Sequence, residues 1–376
     1  MASTNTIYLD YAATTPVAAQ VLDSMMPYLT DRFGNPSSFN HQIGLQAKEG
    51  IDQARAEVAL CLAVSPEEVI FTSGGTESNN LALKGAMQQF RGGHFAISAV
   101  EHSSIIDSAK SLENDGFRMT VIPPTSEGEV TIDAVKEAIQ PDTKLISVMW
   151  GNNEVGTINQ IETIANYCRS KGILIHSDAS QALGHVEVDA SLVDLLTITG
   201  HKVYAPKGIG ALIVGKPVSI NPQIVGGQSH RGLRAGTINV PSVVGFGKAC
   251  SICNINRSAS IAGTRDLCES ILREEFSNLV INGKLSSRLP HISNVQFPQV
   301  GPDFSPAMLS GVACSSGSAC QSGLRDGSHV LKAMGKTDLE ALSTLRLSFG
   351  RNTSNEDAKN AANAIISSIK KVINYV

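Results

Sequence analysis

The chain has 376 residues, a formal net charge of −4 at pH 7 and a hydrophobic content of 42%. This length exceeds one typical domain, and a near-neutral charge without a long block of like charges argues against a dedicated nucleic-acid or membrane surface. No apolar run approaches the ~20 residues that a membrane-spanning helix needs, and no basic segment followed by an apolar one marks a secretory signal.

Seven cysteines are scattered along the sequence. An odd number without regular spacing fits a reducing compartment better than a disulfide framework, so we expect a cytoplasmic protein. Cys250 and Cys253 form a C-x-x-C pair, but neither a second pair nor a histidine cluster completes a metal site. We therefore interpret both as ordinary helix residues and expect no bound metal.

The amino-terminal part of the chain predicts an extended arm over 1–16 and a short buried strand over 69–72. The sequence SGGT at 73–76 then leads into a helix. A strand, a glycine turn and a helix amino terminus leave backbone N–H groups free to bind an anion. Gly75 and Thr76 are therefore candidates for holding a phosphate, although a plainly capped helix has the same pattern.

Between residues 94 and 214, short apolar runs alternate with helical patterns. Such alternation predicts a mostly parallel sheet covered by helices on both faces. Polar residues follow several of the strands, and that convergence is hard to explain by core packing alone. The strands are predicted near 94–98, 119–123, 145–150, 173–177, 194–198 and 210–214, and the helices near 103–115, 131–139 and 159–171.

Two of the predicted strands end close to an acid and a lysine. Asp178 follows the apolar residues 173–175, and Lys202 follows those of 193–198. Because open α/β sheets place ligands at the carboxyl ends of their strands, both side chains can face one crevice. There an amine can hold a pyridine aldehyde covalently, and an acid can keep the ring nitrogen protonated. An ordinary buried ion pair, or two unrelated surface residues, fits the spacing as well.

After residue 214 the pattern changes. A glycine-rich basic segment at 226–237 is typical either of a flexible surface loop or of an anion-binding loop. A long helical region follows to about residue 277. Beyond it, short strands alternate with helices, which predicts a smaller α+β domain. These strands are predicted near 278–282, 292–297, 310–314 and 344–349, and the last helix near 355–374.

Ten short motifs give a more specific signal. They are YLDYAATTP at 8–16, GNPSS at 34–38, TSGGTESNN at 72–80, EH at 101–102, NNEVG at 152–156, SDASQ at 177–181, GHKVYAPKG at 200–208, RGLRAGT at 231–237, SSGSAC at 315–320 and LRLSFGR at 345–351. In this order they resemble the cysteine desulfurases of the NifS/IscS type, which are class-V aminotransferases with the fold-type I architecture of pyridoxal-phosphate enzymes. The resemblance implies a large cofactor-binding domain at 17–257, a small carboxyl-terminal domain at 258–376, and an arm at 1–16 that packs against the small domain.

The resemblance also implies a role for each matched position. Lys202 would hold pyridoxal 5′-phosphate and move protons, Asp178 would pair with the ring nitrogen, and His102 would stack on the ring. The other implied cofactor contacts are Gln181 at the ring hydroxyl oxygen, then Gly75, Thr76, Thr199 and His201, with Thr237 reaching the phosphate from the partner subunit. The implied contacts to the substrate carboxylate are Arg346, Asn35 and Asn153, since an arginine fork suits a carboxylate.

The implied reaction converts L-cysteine to L-alanine and leaves the sulfur on an enzyme thiol as a persulfide. The nucleophile must be a mobile or exposed thiolate. The glycine-serine segment 313–323 offers two candidates. Cys320 occupies the family's nucleophile position and is our prediction. Cys314, where relatives often have a small or apolar residue, remains the alternative as nucleophile or sulfur relay.

The sequence departs from the family pattern in two places. Residues 226–231 are GGQSHR where relatives often have GGGQER, and the chain ends soon after its last helix, whereas housekeeping relatives carry a longer tail that engages an iron–sulfur scaffold. The acceptor therefore stays open between iron–sulfur cluster assembly and RNA or DNA thiolation. We expect a homodimer and a sulfur-acceptor protein, with no direct contact to nucleic acid or membrane.

Two rival functions use the same sequence features differently. An aminotransferase, a selenocysteine lyase or a carbon–sulfur β-lyase would keep the cofactor site, and a β-lyase would need no enzyme thiol. A cofactor-free α/β scaffold that only binds a partner would need neither the cofactor site nor the enzyme thiol. The combination of Asp178, Lys202 and Thr76 argues against the scaffold.

Overall fold

The computed structural model describes residues 6–227, 229–316 and 327–374. Within these ranges the strands form a seven-stranded sheet, a three-stranded sheet and a two-stranded pair. No helix in the described ranges is both long and apolar enough to cross a membrane.

The seven-stranded sheet has the order β2-β8-β7-β6-β5-β3-β4, and its strands from β7 to β4 run parallel to one another. The predicted α/β class with a mostly parallel sheet is confirmed. Only β8 is antiparallel to its neighbours β2 and β7. Its strands are β2 Val69–Thr72, β3 His94–Ser98, β4 Arg118–Ile122, β5 Thr143–Ser147, β6 Leu174–Asp178, β7 Leu195–Thr199 and β8 Gly210–Val214.

Helices cover both faces of this sheet, because alternate strand residues point to opposite sides. Ile70 and Leu212 face a core that includes Leu83 of α3. Phe71 and Ile213, their sequence neighbours, face a second core with α1, α2, α5, α6 and α7. The helices are α1 Ala19–Leu29, α2 Gln42–Cys61, α3 Gly75–Met87, α4 Ser103–Asn114, α5 Ile132–Ala138, α6 Ile161–Ser170 and α7 Val240–Ser251.

The carboxyl-terminal part builds a third core between two helices and an antiparallel sheet of order β12-β10-β9. The amino-terminal strand β1, Ile7–Tyr8, pairs in parallel with β11 beside this core, and Leu9 is buried in it. The pairing covers only the first described residues of the arm, because Ala12 lies in the core of the large sheet, and the assignment of the whole arm 1–16 to the small domain stays a prediction. The elements are α8 Ser258–Glu275, β9 Val280–Asn282, β10 Ile292–Gln296, β11 Val312–Ala313, α9 His329–Ala333, α10 Asp338–Leu342, β12 Thr344–Ser348 and α11 Asn355–Asn374.

The boundary proposed at residues 257 and 258 does not separate the two cores completely. Leu331 of α9 belongs to the core of the large sheet, although it lies in the carboxyl-terminal part of the sequence. The two parts of the chain therefore share a packed interface, and the cavity described next lies where they meet.

Candidate active site

A cavity of about 190 Å³ lies at the carboxyl ends of β6 and β7. The first turn of α3, the residue before α4 and the strand β12 also border it. The structure thus brings together side chains that lie far apart in the sequence. Ten of the predicted site residues line the cavity: Gly75, Thr76, His102, Asn153, Asp178, Gln181, Thr199, His201, Lys202 and Arg346.

Asp178 is buried at the end of β6 and is held by two hydrogen bonds. Its Oδ2 accepts from Nδ2 of Asn79 at 2.8 Å, and its Oδ1 accepts from the backbone N–H of Ser180 at 2.9 Å. Burial alone would raise the pKa of Asp178, yet these hydrogen bonds and the charge of Lys202 lower it below the ordinary value. The carboxylate therefore stays ionised at neutral pH.

Lys202 ends the short turn that follows β7, and its side chain lines the same cavity as Asp178. Its positive charge lowers the pKa of Asp178, and together with burial it lowers the pKa of His102. The amine and the acid therefore border one cavity.

A chain of hydrogen bonds connects Asp178 to His102. The Nδ2 group of Asn79 donates to Asp178 and also to Ser104 Oγ, at 2.8 Å in both cases. Ser104 Oγ lies 2.8 Å from Nδ1 of His102, and the Ser104 backbone N–H donates to the same ring nitrogen. Because Nδ1 accepts, the neutral ring carries its proton on Nε2. Burial, followed by the charge of Lys202, lowers the pKa of His102, so the ring is neutral at pH 7.

The amino terminus of α3 has the features of an anion site. The Oγ atoms of Thr199 and Ser180 are buried and have no hydrogen-bond partner in the described part of the chain. A Cβ on Gly75 would lie 3.4 Å from Ser180 Oγ and 3.7 Å from Thr199 Cβ, so both residues flank the first turn of the helix. Unpaired hydroxyls beside free helix N–H groups fit an anion such as a phosphate.

His201 lies at the edge of the cavity and contacts the amino-terminal arm. Its Nδ1 is 3.2 Å from Oγ1 of Thr14, and its backbone oxygen accepts from Thr15. Burial, with smaller contributions from the charges of Lys202 and Lys207, lowers the pKa of His201 to about 4. The ring is therefore neutral at pH 7 and can donate one N–H.

Arg346 is buried in β12, with only 2% of its surface exposed. Its Nη1 donates to the backbone oxygen of Asn153 at 3.0 Å, and its Nη2 donates to Oδ1 of Asp10 at 2.9 Å. Within the described ranges, Nε of Arg346 and Oδ1 of Asn153 have no partner. The guanidinium therefore keeps a donor for a carboxylate that enters the cavity.

Gln181 connects the cavity to the arm and to the small domain. Its Nε2 donates to the backbone oxygen of Ala12 at 2.8 Å, and its Oε1 lies 3.1 Å from Nε2 of His291. The side chain is thus fixed in orientation before any ligand binds.

The structure describes only one of the two candidate cysteines. Cys320 is outside the described residues. Cys314 follows β11, next to Ser315, whose backbone pairs with that of Arg346. Burial, then the nearby charge of Asp10, raises the pKa of Cys314 to about 12. At neutral pH it is a protonated thiol and a poor nucleophile.

Besides Cys314, two predicted residues in the described part of the chain do not line the cavity. Asn35 is exposed in the turn at 34–38, where its Oδ1 accepts from the Ser37 N–H at 2.9 Å. Thr237 is also exposed, and its predicted role belongs to the site of a partner subunit. Both assignments stay predictions.

Sequence reasoning missed the residues that support Asp178 and Arg346. Asn79 was available as a signal, because it lies at helical spacing with the buried Ala82, Leu83 and Ala86, where a polar residue is unusual. Asp10 gave no such signal, because its partner Arg346 is 336 positions away. Ser104 and Ser180 likewise follow only from the folded structure.

Comparison with known proteins gives a consistent result. The family model for aminotransferase class-V matches residues 7–360. A cysteine desulfurase IscS of Neisseria meningitidis is 43% identical over 374 residues, which cover 97% of this chain and 93% of the relative. A solved NifS-like protein has a TM-score of 0.90 at 32% identity and covers 97% of this chain and 100% of its own. A structure described as SspA in complex with cysteine has a TM-score of 0.82 at 37% identity. The match covers 92% of this chain and 99% of that structure.

Proposed function

This chain belongs to the class-V aminotransferase family, and from that premise we propose that it is a cysteine desulfurase that depends on pyridoxal 5′-phosphate. The single observation that carries the proposal is the meeting of Asp178, Lys202 and the anion site of α3 in one cavity, with buried Arg346 on its border. The cavity offers a suitable partner for the aldehyde, the ring nitrogen and the phosphate of the cofactor. It also offers one for the substrate carboxylate.

The residues present fit the cofactor. When bound, pyridoxal 5′-phosphate supplies an electron-accepting ring that stabilises negative charge developing on the substrate. The Lys202 amine would hold its aldehyde, and the ionised Asp178 would pair with its ring nitrogen. Thr76, Thr199 and the first N–H groups of α3 would hold its phosphate, a role supported by the unpaired buried hydroxyl of Thr199.

The hydrogen bonds to Asp178 have a chemical consequence. A carboxylate fixed by Asn79 and Ser180 would be held toward the ring nitrogen, and its lowered pKa would favour the proton on that nitrogen. The neutral ring of His102, fixed through Ser104, can lie against the cofactor without placing a second positive charge beside it.

The substrate groups have separate partners. Arg346 would bind the carboxylate of L-cysteine, with Asn153 beside it, and Asn35 is a further proposed contact. Lys202 would act as the base that takes the α-proton of the bound substrate and returns a proton to the product. That a relative 37% identical to this chain is described in complex with cysteine supports this substrate class.

The sulfur must reach an enzyme thiolate. We assign this role to Cys320: its thiolate attacks the substrate sulfur, and the carbon–sulfur bond breaks with its electron pair left on the substrate carbon. Protonation of that carbon gives alanine, and Cys320 keeps the sulfur as a persulfide. The raised pKa of Cys314 argues against that residue as the nucleophile. An acceptor protein, of iron–sulfur cluster assembly or of RNA or DNA thiolation, would then take the sulfur. We also propose a homodimer in which Thr237 completes the partner's phosphate site.

Mass spectrometry of the holoenzyme after incubation with L-cysteine tests this function. We expect one added sulfur atom on the peptide that contains Cys320, and none on that peptide in Cys320→Ser. Cys314→Ser is the matched control and should still gain sulfur. Full sulfide release by Cys320→Ser would contradict the assignment.

Two further measurements separate the alternatives. A β-lyase would remain fully active in the Cys314→Ser/Cys320→Ser double variant. A selenocysteine lyase would turn over L-selenocysteine but leave L-cysteine unchanged, whereas we expect alanine from L-cysteine.

A further inference from the structure

Three cysteines that are distant in the sequence meet away from the cofactor cavity. Cys61 is the last residue of α2, Cys250 lies near the end of α7, and Cys253 follows that helix. All three side chains line one cavity, and the electrostatic interaction of the Cys61 thiol with Cys250 and Cys253 shifts its pKa. The interpretation as a helix residue is confirmed for Cys250 and wrong for Cys253, because α7 ends at Ser251, and it did not include Cys61. We call these residues the thiol cluster.

Close packing of two helices creates the thiol cluster. A Cβ on Gly247 of α7 would lie only 2.5 Å from Cα of Ala54 on α2, so only glycine allows this approach. The carboxyl-terminal ends of α2 and α7 are consequently held side by side, and each end carries a thiol of the cluster. The contact between the thiols thus follows from the helix packing and is a fixed part of the fold.

The thiol cluster borders a cavity of about 460 Å³. Cys61 is partly exposed there, whereas Cys250 is buried behind it. Glu57, Glu187 and Asp189 line the same cavity, and no lysine or arginine is among its described lining residues. The resulting negative potential repels anions and leaves the cavity accessible to small uncharged molecules.

A metal is a poor explanation for the thiol cluster. No group of three or more histidine, cysteine or acidic side chains in the described residues has the arrangement needed to hold a metal ion. Two adjacent thiols that are not coordinated can instead give up two electrons to form a disulfide.

We propose that the thiol cluster is a redox-modification site at which Cys61 reacts with a small uncharged hydroperoxide and then forms a disulfide with Cys250 or Cys253. In the first step the Cys61 sulfur attacks the peroxide, the O–O bond breaks, and an alcohol or water leaves, so that Cys61 becomes a sulfenic acid. In the second step a neighbouring thiol attacks that sulfur, the S–O bond breaks, and water leaves. The two thiols together lose two electrons and two protons, and the peroxide is reduced.

The electrostatics of the thiol cluster distinguish the attacking thiol from the resolving ones. Hydrogen bonds from Cys250 and Cys253 lower the pKa of Cys61 to about 4, and the same contacts raise the pKa values of both donors. Cys61, which is also partly exposed to the cavity, is therefore the attacking thiol of the proposal, and its neighbours are the resolving thiols. Cys168 is a contrast, because burial raises its pKa to about 12.

Treatment of the holoenzyme with hydrogen peroxide, followed by thiol blocking and peptide mapping, tests the proposal. We expect a disulfide-linked peptide pair that contains Cys61 and is lost on addition of dithiothreitol. Cys61→Ser should abolish it, and Cys168→Ser, the matched control, should leave it unchanged. Cys250→Ser and Cys253→Ser, made separately, identify the resolving thiol. Absence of any linked peptide with Cys61 would overturn the proposal.

Two measurements do not depend on the folding of a variant. In the wild-type protein under native conditions, iodoacetamide should modify Cys61 at least about tenfold faster than Cys168, because alkylation follows the thiolate fraction. Equal rates would contradict the proposal. Anionic inorganic polysulfide at the same concentration should produce less disulfide than hydrogen peroxide, and the reverse order would overturn the assignment of an uncharged oxidant.

Discussion

Asn79 Nδ2 donates to Asp178 Oδ2 at 2.8 Å, from the buried face of α3 to the end of β6. We predict that Asn79→Ala lowers kcat/KM for L-cysteine about 10- to 100-fold, since a hydrogen bond to a charged group contributes about 1.5–3 kcal/mol. Alanine formation measures the effect. Lys84→Ala, on the same helix but outside the cavity lining, is the control and should retain wild-type activity. An Asn79→Ala variant with unchanged kcat/KM would refute the role given to this hydrogen bond.

Thr199→Val should weaken cofactor binding without lowering the stability of the cofactor-free protein. The Thr199 hydroxyl is buried and unpaired within the described chain, so its removal should leave the Tm of the cofactor-free protein unchanged or higher. The Kd for pyridoxal 5′-phosphate should nevertheless rise about 10- to 100-fold, because a charged hydrogen bond to phosphate is lost. Thermal unfolding without cofactor and a cofactor titration give the two values.

Thr197→Val is the matched control on the same strand. Oγ1 of Thr197 lies 3.1 Å from Nε2 of the buried His176, so this variant should lose stability without a change in cofactor affinity. If the two variants behaved alike, the hydroxyl of Thr199 would have no special relation to the phosphate.

Arg346→Lys should weaken substrate binding. A lysine cannot reproduce the contacts that the guanidinium makes to Asn153 and Asp10 while it also binds a carboxylate. The loss of one charged hydrogen bond predicts a rise in KM of about 10- to 100-fold, with a smaller effect on kcat. Steady-state kinetics over a range of L-cysteine concentrations checks this. Arg118→Lys, at the exposed ion pair with Asp142, should not change KM.

The stability of the protein should fall below about pH 6.5 because buried histidines must bind protons on unfolding. His185 and His291 are stacked with ring centroids 3.6 Å apart, and burial lowers the pKa of His185 from 6.5 to about 4. Its folded-state pKa is lower than its unfolded value, so its contribution is complete above pH 6.5 and is lost as the pH falls toward 4. Each such histidine adds a slope of up to about 1.4 kcal/mol per pH unit.

Urea unfolding between pH 4 and 7 measures that slope. His185→Phe should reduce it by about one proton equivalent. An identical slope in wild type and His185→Phe would show that His185 does not gain a proton on unfolding.

The sequence predicts most of the large sheet because its strands are short buried apolar runs, and such runs are recognisable without their partners. The direction of β8 is not predictable in the same way, since the residues of an apolar run such as Gly210–Val214 do not indicate which way the strand runs in the sheet. The connection at 200–209 holds only a short turn, and parallel neighbours need a longer crossover. Connection length was thus the one available signal for the antiparallel strand.

The cavity was predictable where chemistry requires a particular side chain, and less so where a side chain only supports another. Lys202 and Asp178 stand out because a charge after a buried strand is unusual. Ser180 and Asp10 act through neighbours that are not adjacent in sequence, and common polar residues in loops give no comparable signal. The same holds for Cys61, which meets Cys250 only through the packing of α2 on α7.

The pairing of Asp10 with Arg346 has a consequence for biosynthesis. The two residues are 336 positions apart, so the arm emerges from the ribosome long before Arg346, which it contacts, is synthesised. A nascent chain can fold its central sheet early and still lack any place for an amino acid's carboxylate. We therefore expect substrate binding only after Arg346 has been synthesised and has paired with Asp10.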